Sequence, residues 1–179
     1  GDAIVDSQTV EDITDLVENN YLTFKTSVTL QANAGIALSG GTNGTQTASH
    51  HQEMLGLLEG YSFNILGCVS ITAEIKALYA AYVKRMRDDV GKKFQVVLHK
   101  YEQADSIGVI SVENNAVNSA HVSDLVYFVS GIEAGCAVNK SCTNKIYNGE
   151  FEVNTDYTQT ELKEALLEGK LMFHKVGDD

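Results

Sequence analysis

Proline is absent from this chain of 179 residues, although an average usage of about 5% would give around nine. The absence is compatible with many regular elements and few rigid turns. Cysteine is scarce and occurs only as Cys68, Cys136 and Cys142. Because the number is odd and no CxxC spacing is present, we expect neither a disulfide framework nor a structural zinc site. Reduced thiols in a cytosolic product are the simpler interpretation.

Positive charge is also scarce. Lys and Arg number 13 against 24 Asp and Glu, which gives a formal net charge of -11. This balance argues against binding to nucleic acid or directly to an anionic membrane, since both need clustered cations. No apolar run approaches the roughly 18 residues that a membrane span needs, and no signal peptide is visible at the N-terminus.

Apolar residues make up 44% of the chain, enough to bury a real core. Hydrophobic periodicity predicts helices and short apolar strands in alternation, which implies an α/β fold with a mostly parallel central sheet flanked by helices. The predicted strands cover residues 63–69, 94–98, 109–112 and a segment from 171. The predicted helices cover about 48–59, 72–89 and 122–135. A last helix follows the capping-box pair Thr158 and Glu161, with Leu162, Ala165 and Leu166 facing inward. Gly60, Gly91 and Gly169 stand where helices should end.

The N-terminal part has its own pattern. Thr9 and Asp12 have the spacing of a capping box that would start a short helix. Residues 21–30 alternate between apolar and polar side chains, which is typical of a half-buried strand. We therefore expect a lead-in helix and strand at 1–30 and a main α/β domain at 31–179.

Two glycine-containing turns invite specific interpretations. Asn148-Gly149 predicts a small β-hairpin at 146–153, because this pair tolerates positive φ angles. The segment SGGTNGT at 39–45 could cradle a phosphate with its backbone N–H groups. However, no Lys follows Gly44, so the P-loop motif is incomplete, and GxGxxG is absent as well. A tight, exposed connection explains this segment more simply.

Histidines offer no complete catalytic or metal-binding motif. His50 and His51 would point about 100 degrees apart on a helix and cannot easily share one ion. His99, His121 and His174 are isolated in sequence, and although each could act as a general base, the GxSxG setting of a serine nucleophile is missing.

Thiols and carboxylates give equally weak signals. Cys68 falls on a predicted buried strand, where a thiol is usually a small core residue. Cys142 lies in a polar loop and is expected to be the most reactive thiol. Asp88, Asp89 and Asp105 could form an acidic site, but a solvated helix end and a loop explain them as well. We therefore predict no catalytic residue, no cofactor and no metal.

Cations are dense at one place in this acidic chain. The basic cluster consists of Lys84, Arg85, Arg87, Lys92 and Lys93. One interpretation is that cations in the last turns of a helix complement its dipole. The other is a subunit contact with an acidic neighbour, such as another copy of the same protein.

The segment ALSGGTNG at 37–44, followed by KRMRDDVGKKFQVVL at 84–98, resembles the tail sheath proteins of contractile-tailed bacteriophages and phage-like bacteriocin particles (tailocins). Further segments are similar to the family in the same order, and these lie at 5–10, 16–24, 58–68, 109–114, 134–141 and 162–173. The similarity therefore extends over nearly the whole chain.

The resemblance implies a structural protein without enzymatic activity. Its central domain would have a subtilisin-like α/β fold that lacks the catalytic triad. The full-length subunit would stack as hexameric rings around a tail tube and contract to drive the tube through a cell envelope. The expected partners are other copies of the subunit and the tail tube and baseplate proteins, in a virion tail or phage-like particle assembled in the bacterial cytoplasm. We expect the family's C-terminal polymerisation domain to be missing here, and the fragment alone to be monomeric.

Two alternatives remain open. An intracellular α/β enzyme or ligand-binding domain would place its site in the loops at 31–47 and 99–108, near the carboxyl ends of the strands. A protease-like domain that retains activity would need a serine activated by a neighbouring base.

Overall fold

Helices and short parallel strands follow one another from residue 48 onward, in the order helix, strand, helix, strand, strand, helix, helix. The computed structural model describes residues 6–20, 22–25, 27–29, 31–32, 40–42, 44–103, 106–137 and 139–177. The chain divides into two compact units, residues 1–44 and residues 45–179.

The second unit contains a three-stranded parallel sheet. Its strands are β1 (Ile65–Cys68), β2 (Gln95–His99) and β3 (Val109–Val112), which lie side by side in the order β1-β2-β3. In β2, the side chains of Val96 and Val97 are both fully buried, because both faces of a central parallel strand are covered. The predicted parallel sheet flanked by helices is thus confirmed.

The described residues form four α-helices: α1 (Ala48–Leu58), α2 (Ala73–Arg85), α3 (Leu125–Ala134) and α4 (Gln159–Leu167). Helices α2 and α3 pack on the sheet, and α1 packs on α2. Successive β2 residues point to opposite faces: Val96 joins the apolar cluster formed with α1 and α2, whereas Val97 joins the cluster formed with α3. The sheet is therefore the middle layer of three.

The long predicted helix at 72–89 ends differently from a plain α-helix. After Arg85 the chain makes a π-helical turn over Met86–Val90, and Gly91 ends it in the left-handed region with a φ of 83°. The sequence correctly places the stop at Gly91, where only glycine adopts this φ without strain. The widened turn buries Met86, which is 1% exposed.

The predicted hairpin at 146–153 is wrong. This segment forms no strand of its own, and Val153 instead makes a single antiparallel bridge to Ala116. The Tyr147 ring lies over Gly149, where an added Cβ would come within 2.4 Å of the phenol oxygen. The chain is thus folded around a packed aromatic ring, and Gly149 serves that close approach and not a hairpin turn.

The predicted helix starting at Thr9 is also wrong. Asp12 acts as the N-cap, since its carboxylate accepts the Thr14 backbone N–H at 2.9 Å, and it starts only a three-residue 3-10 turn, Ile13–Asp15. Leu16 has already returned to an extended conformation with a ψ of 126°. A cap alone does not propagate a helix that has no packing partner for its apolar face.

The predicted strand at 21–30 is not formed in the residues that are described there, 22–25 and 27–29. Leu22 and Val28, which should face a core, are 42% and 49% exposed. Alternation indicates a strand only when a neighbouring strand supplies hydrogen bonds. Tyr21, Thr26 and Leu30 lie outside the described residues.

The segment from residue 171 extends the sheet by one residue pair only. Leu171 bridges Val112 in parallel, donating its N–H to the Ser111 carbonyl at 3.1 Å and accepting the Glu113 N–H at 3.1 Å. Within the part of the chain that the structure describes, no helix has the length and apolar character required to cross a membrane.

Candidate interaction surface and buried polar groups

The residues of the basic cluster lie close together, and most of them bind groups within the chain. Arg85 forms an ion pair with Glu59, in the turn that follows α1. Lys92 donates its ammonium hydrogens to the backbone carbonyls of Glu59 and Tyr61, the latter at 3.1 Å. These contacts tie the end of α2 and the start of β2 to the turn after α1.

Two further cations of the cluster bind backbone carbonyls. The Arg87 guanidinium donates to the Phe94 carbonyl at 2.8 Å, and Lys93 donates to the Arg87 carbonyl at 2.9 Å. Both contacts join the π-helical turn to the residues that immediately precede β2. Lys84 differs, because it is exposed and makes no hydrogen bond or ion pair to the residues that the structure describes.

A shallow groove borders the basic cluster. It has a volume of about 350 Å³ and is lined by Tyr61, Ser62, Phe63, Asn64, Lys92, Lys93 and Phe94. Tyr61 is 66% exposed. Cations beside an exposed aromatic ring suit an acidic protein partner.

A second groove, of about 600 Å³, separates α4 from the segment 172–177. It is mostly apolar, and Leu166 and Leu167 are 66% and 77% exposed. The expectation that Leu166 faces inward with Ala165 is wrong, since only Ala165 is buried. Leu162, Leu166 and Leu167 lie on more than one side of α4, so the sequence does not reveal which side of the helix faces the core.

Polar side chains collect at the carboxyl end of the sheet, where an α/β enzyme would carry its site. His99 is buried and donates from Nε2 to Asn115 Oδ1 at 3.0 Å. Burial lowers the pKa of His99, and the hydrogen bond to Asn115 only partly opposes this effect. Lys76, also buried, donates to the carbonyls of His99 and Lys100 at 3.1 and 3.0 Å. These groups satisfy one another.

Ser111 completes the network in the same way. Its hydroxyl donates to Glu113 at 2.6 Å and accepts the Tyr101 N–H at 2.8 Å. Across the described residues, no serine hydroxyl hydrogen-bonds to a histidine ring. The loop at 99–108, described except at 104–105, therefore presents a closed structural network.

The loop at 31–47, the other proposed ligand site, lies largely outside the described residues. The described ranges 40–42 and 44–47 contain no helix or strand, as the composition predicts. Thr47 ends the loop as the N-cap of α1, and its backbone N–H donates to His50 Nδ1 at 3.4 Å.

His51 and Cys68 meet at a buried tyrosine. The Tyr79 hydroxyl hydrogen-bonds to His51 Nδ1 at 3.0 Å, and it also contacts the Cys68 thiol. Burial raises the pKa of both Tyr79 and Cys68, so both stay protonated at neutral pH. Cys68 is a core residue, as predicted, and His50 and His51 face different partners.

The expectation that Cys142 is the most reactive thiol is wrong. Partial burial, the adjacent Cys136 thiol and the Glu133 carboxylate raise the pKa of Cys142 to about 12. Its thiol donates to the Ile132 carbonyl at 3.4 Å. Since the thiolate is the nucleophile, Cys142 is a poor one at neutral pH. Among the described side chains, no group of three or more His, Cys, Asp or Glu could hold a metal ion.

Asn114 belongs to no functional motif in the sequence, yet it links distant segments of the fold. This fully buried side chain donates to the carbonyls of Asn154 and Phe173, at 2.7 and 2.8 Å, and accepts the Phe173 N–H at 2.7 Å. Its one sequence signal is the change from an apolar strand to the polar run Glu113-Asn114-Asn115. That change marks the end of a strand, but it does not identify distant partners.

Comparison with known proteins relates this architecture to phage tails. Residues 44–179 match the family described as phage tail sheath protein central domain. The phage-like element PBSX protein XkdK of Bacillus subtilis (strain 168) is 30% identical over 192 residues, covering 94% of this chain and 41% of that protein. The uncharacterized protein YqbK of the same strain matches with the same identity and coverage.

Two crystal structures show the same fold. The sheath tail protein of Desulfitobacterium hafniense superposes with a TM-score of 0.83 at 36% identity, over 96% of this chain and 42% of that one. The sheath tail protein of Listeria innocua superposes with a TM-score of 0.75 at 30% identity, over 95% of this chain and 40% of that one.

The chain thus spans about two fifths of the length of these relatives. The sequence match covers the whole three-layer unit at 45–179, and the structural match reaches well beyond it. A structural role in a phage tail or phage-like particle follows from this relationship, and the enzyme alternative does not hold. The chain belongs to the phage tail sheath protein family.

Proposed function

We propose that this chain forms the structural body of a contractile tail sheath subunit. The subunit stacks as hexameric rings around a tail tube and shortens to drive the tube through a cell envelope. The observation that carries the proposal is the match of residues 44–179 to the sheath central domain. Packed interfaces with two discrete arrangements can store and release free energy without a cofactor.

The proposed partners follow from this role. They are other copies of the full-length subunit and the tail tube and baseplate proteins, which would meet in the bacterial cytoplasm before the particle is released. The net charge of -11 disfavours nucleic acid as a partner. It also keeps free subunits apart, because like charges repel at long range. We expect this chain alone to be monomeric.

Immunogold electron microscopy tests the proposed location. Antibody raised against residues 45–179 would be applied to particles from an induced culture of the source strain. We expect gold along the outside of contractile tails, in both the extended and the contracted state. Gold confined to another structure, or tails whose denatured protein does not react with the antibody, would overturn the proposal.

The basic cluster is the proposed contact with a neighbouring subunit. Lys84 is the member of the cluster that is freest to meet a partner, because it is exposed and has no hydrogen bond or ion pair to the described residues. Arg85 is paired with Glu59, and the other three cations keep their charge but are held in place by backbone carbonyls. An acidic surface of another copy is the complementary partner, given the excess of carboxylates in this chain. The apolar groove beside α4 carries no such charge argument.

A charge-reversal pair tests this contact in the full-length sheath protein. Lys84→Glu should slow polymer formation at low salt, and the difference from wild type should shrink as salt screens the interaction. Lys145→Glu changes the same charge at another exposed position and serves as the control. Light scattering during assembly reports both rates. Equal effects of the two substitutions would argue against a specific contact at Lys84.

A further inference from the structure

Cys136 and Cys142 are both anchored to the last turn of α3. The Cys136 backbone N–H donates to the Glu133 carbonyl at 3.2 Å. The Cys142 thiol donates to the Ile132 carbonyl at 3.4 Å. Two consecutive carbonyls of one helix end therefore hold the two cysteines.

The chain between these cysteines turns back on itself. The Lys140 N–H donates to the Ala137 carbonyl at 2.8 Å, which closes a tight turn between them. As a result the thiol of Cys142 has the thiol of Cys136 as a direct neighbour. Both side chains are partly exposed, whereas Cys68 is buried in the core.

We propose that Cys136 and Cys142 form a reversible intramolecular disulfide. The anchored turn brings together two thiols that are separated by only five residues in the sequence, as a disulfide requires. The pair would stay reduced in the cytosol and become oxidised outside a reducing compartment. The inference does not depend on the proposed sheath function, because it rests on these local contacts alone.

The reaction with oxidised glutathione balances as thiol–disulfide exchange. The Cys136 thiolate attacks one glutathione sulfur, forms a mixed disulfide and releases one glutathione thiolate. The Cys142 thiolate then attacks the Cys136 sulfur and releases the second glutathione. The two protein thiols lose two protons and two electrons, and the glutathione disulfide is reduced to two thiols. Two of the contributions that raise the pKa of Cys142 come from the Cys136 thiol, and they are removed once Cys136 is part of the mixed disulfide.

Peptide mapping provides a direct test on the full chain. Lys140 lies between the two cysteines, and no other Lys or Arg occurs in 101–139. Trypsin therefore releases Cys136 in peptide 101–140 and Cys142 in peptide 141–145. After treatment with oxidised glutathione, we expect these peptides to remain joined until a reductant is added. The intact protein should be lighter by about 2 Da, the mass of two hydrogens.

Three serine variants serve as matched controls. Cys68→Ser should leave the linkage unchanged. Cys142→Ser should abolish it and leave glutathione attached to Cys136, and Cys136→Ser should also abolish it. The inference would be overturned if wild-type protein gave only glutathione adducts, a linkage to Cys68, or no loss of thiols under conditions that oxidise a model dithiol.

Discussion

At the scale of single residues, Asn114 joins three segments that are far apart in the sequence. Asn114 lies two residues after the end of β3. Its side-chain amide hydrogen-bonds to the backbone of Asn154 and of Phe173. A buried amide with three partners is satisfied as a donor and as an acceptor. Removing it leaves backbone groups without partners, which costs more than the hydrogen bonds themselves contribute.

Asn114→Ala should therefore lower the free energy of unfolding by about 2–4 kcal/mol, because buried backbone groups lose their partner. Urea unfolding followed by circular dichroism measures the change in midpoint. Asn148→Ala, at an exposed asparagine, should stay within about 0.5 kcal/mol of wild type. Similar losses in the two variants would show that the hydrogen bonds of Asn114 contribute little to stability.

His99 should make stability depend on pH. Its folded-state pKa is lowered by burial, so the unfolded chain binds the proton more readily. Stability is then complete above the unfolded pKa of about 6.5 and is lost as pH falls from there toward the folded pKa. The loss cannot exceed about 1.4 kcal/mol per pH unit for one proton.

The measurement is urea unfolding at several values between pH 7.5 and pH 5. His99→Gln keeps a donor near Asn115 but cannot take up a proton, and we expect a flatter pH profile for this variant. Lowered carboxylate pKa values, such as that of Glu161, act only at lower pH. Parallel profiles for wild type and variant would assign the pH dependence to another group.

At the scale of elements, the packing of α3 on β1 depends on Gly67. A Cβ at this position would come within 2.7 Å of Ser130 Oγ and 3.3 Å of Val126 Cγ1. The helix and the strand are therefore in closer contact than any other residue would allow. The Ser130 hydroxyl is itself buried without a partner among the described residues.

Gly67→Ala should destabilise the protein by about 1–3 kcal/mol, as overpacked cores do. Ser130→Ala alone should be nearly neutral or stabilising, because it removes an unpaired buried hydroxyl. In the double variant Ser130→Ala should recover part of the loss, since the closest clashing atom is gone. A double-mutant cycle with no coupling would contradict this packing argument.

The N-terminus of α4 is the feature of the helices that the sequence predicts best. Thr158 and Glu161 form a reciprocal capping box: Glu161 accepts the Thr158 N–H at 2.7 Å, and Thr158 accepts the Glu161 N–H at 3.3 Å. The threonine side chain and the first-turn carboxylate satisfy donors that the helix itself leaves free. Only residues within four positions take part, so the local sequence suffices.

Thr158→Ala should cost about 1 kcal/mol in the free energy of unfolding through loss of the cap. Thr160→Ala removes an exposed threonine from inside the same helix, where alanine has the higher helix propensity. We expect this control to be neutral or slightly stabilising. Thermal unfolding of both variants gives the comparison, and the same sign for both would rule out a cap effect.

At the scale of the whole molecule, the division into two units separates a core-bearing part from residues 1–44. The residues of both apolar clusters belong to the second unit, which coincides with the family match at 44–179. The boundary after residue 30, which the helix and strand pattern of residues 1–30 suggests, stays a prediction. A domain with its own core can fold alone.

A fragment of residues 45–179 should therefore fold by itself. Its thermal midpoint should lie within about 4 °C of that of the whole chain, a shift that corresponds to roughly 1 kcal/mol for a domain of this size. Calorimetry of both proteins measures it. A fragment that starts at residue 31 tests the boundary predicted from the sequence. Unfolding of both fragments would show that residues 1–30 are required.

Local sequence is sufficient to set most helices, strands and helix ends of this protein. Apolar runs such as Val96 to Leu98, the stop at Gly91 and the capping box of α4 are set by neighbours along the chain, and periodicity makes them readable. The ordered similarity of segments also identified the family. The parallel sheet followed from the alternation of these elements, because a parallel pair requires a crossover.

Contacts between residues that are far apart in the sequence are set by three-dimensional packing. The segment around Tyr147 forms no hairpin because the Tyr147 ring packs over Gly149. In the described part of 21–30, the alternating side chains form no buried face. The basic residues, read as a contact surface, mostly bind carbonyls that the sequence does not place beside them. A local sequence pattern does not show which distant segment a residue will contact, because that contact depends on packing in three dimensions.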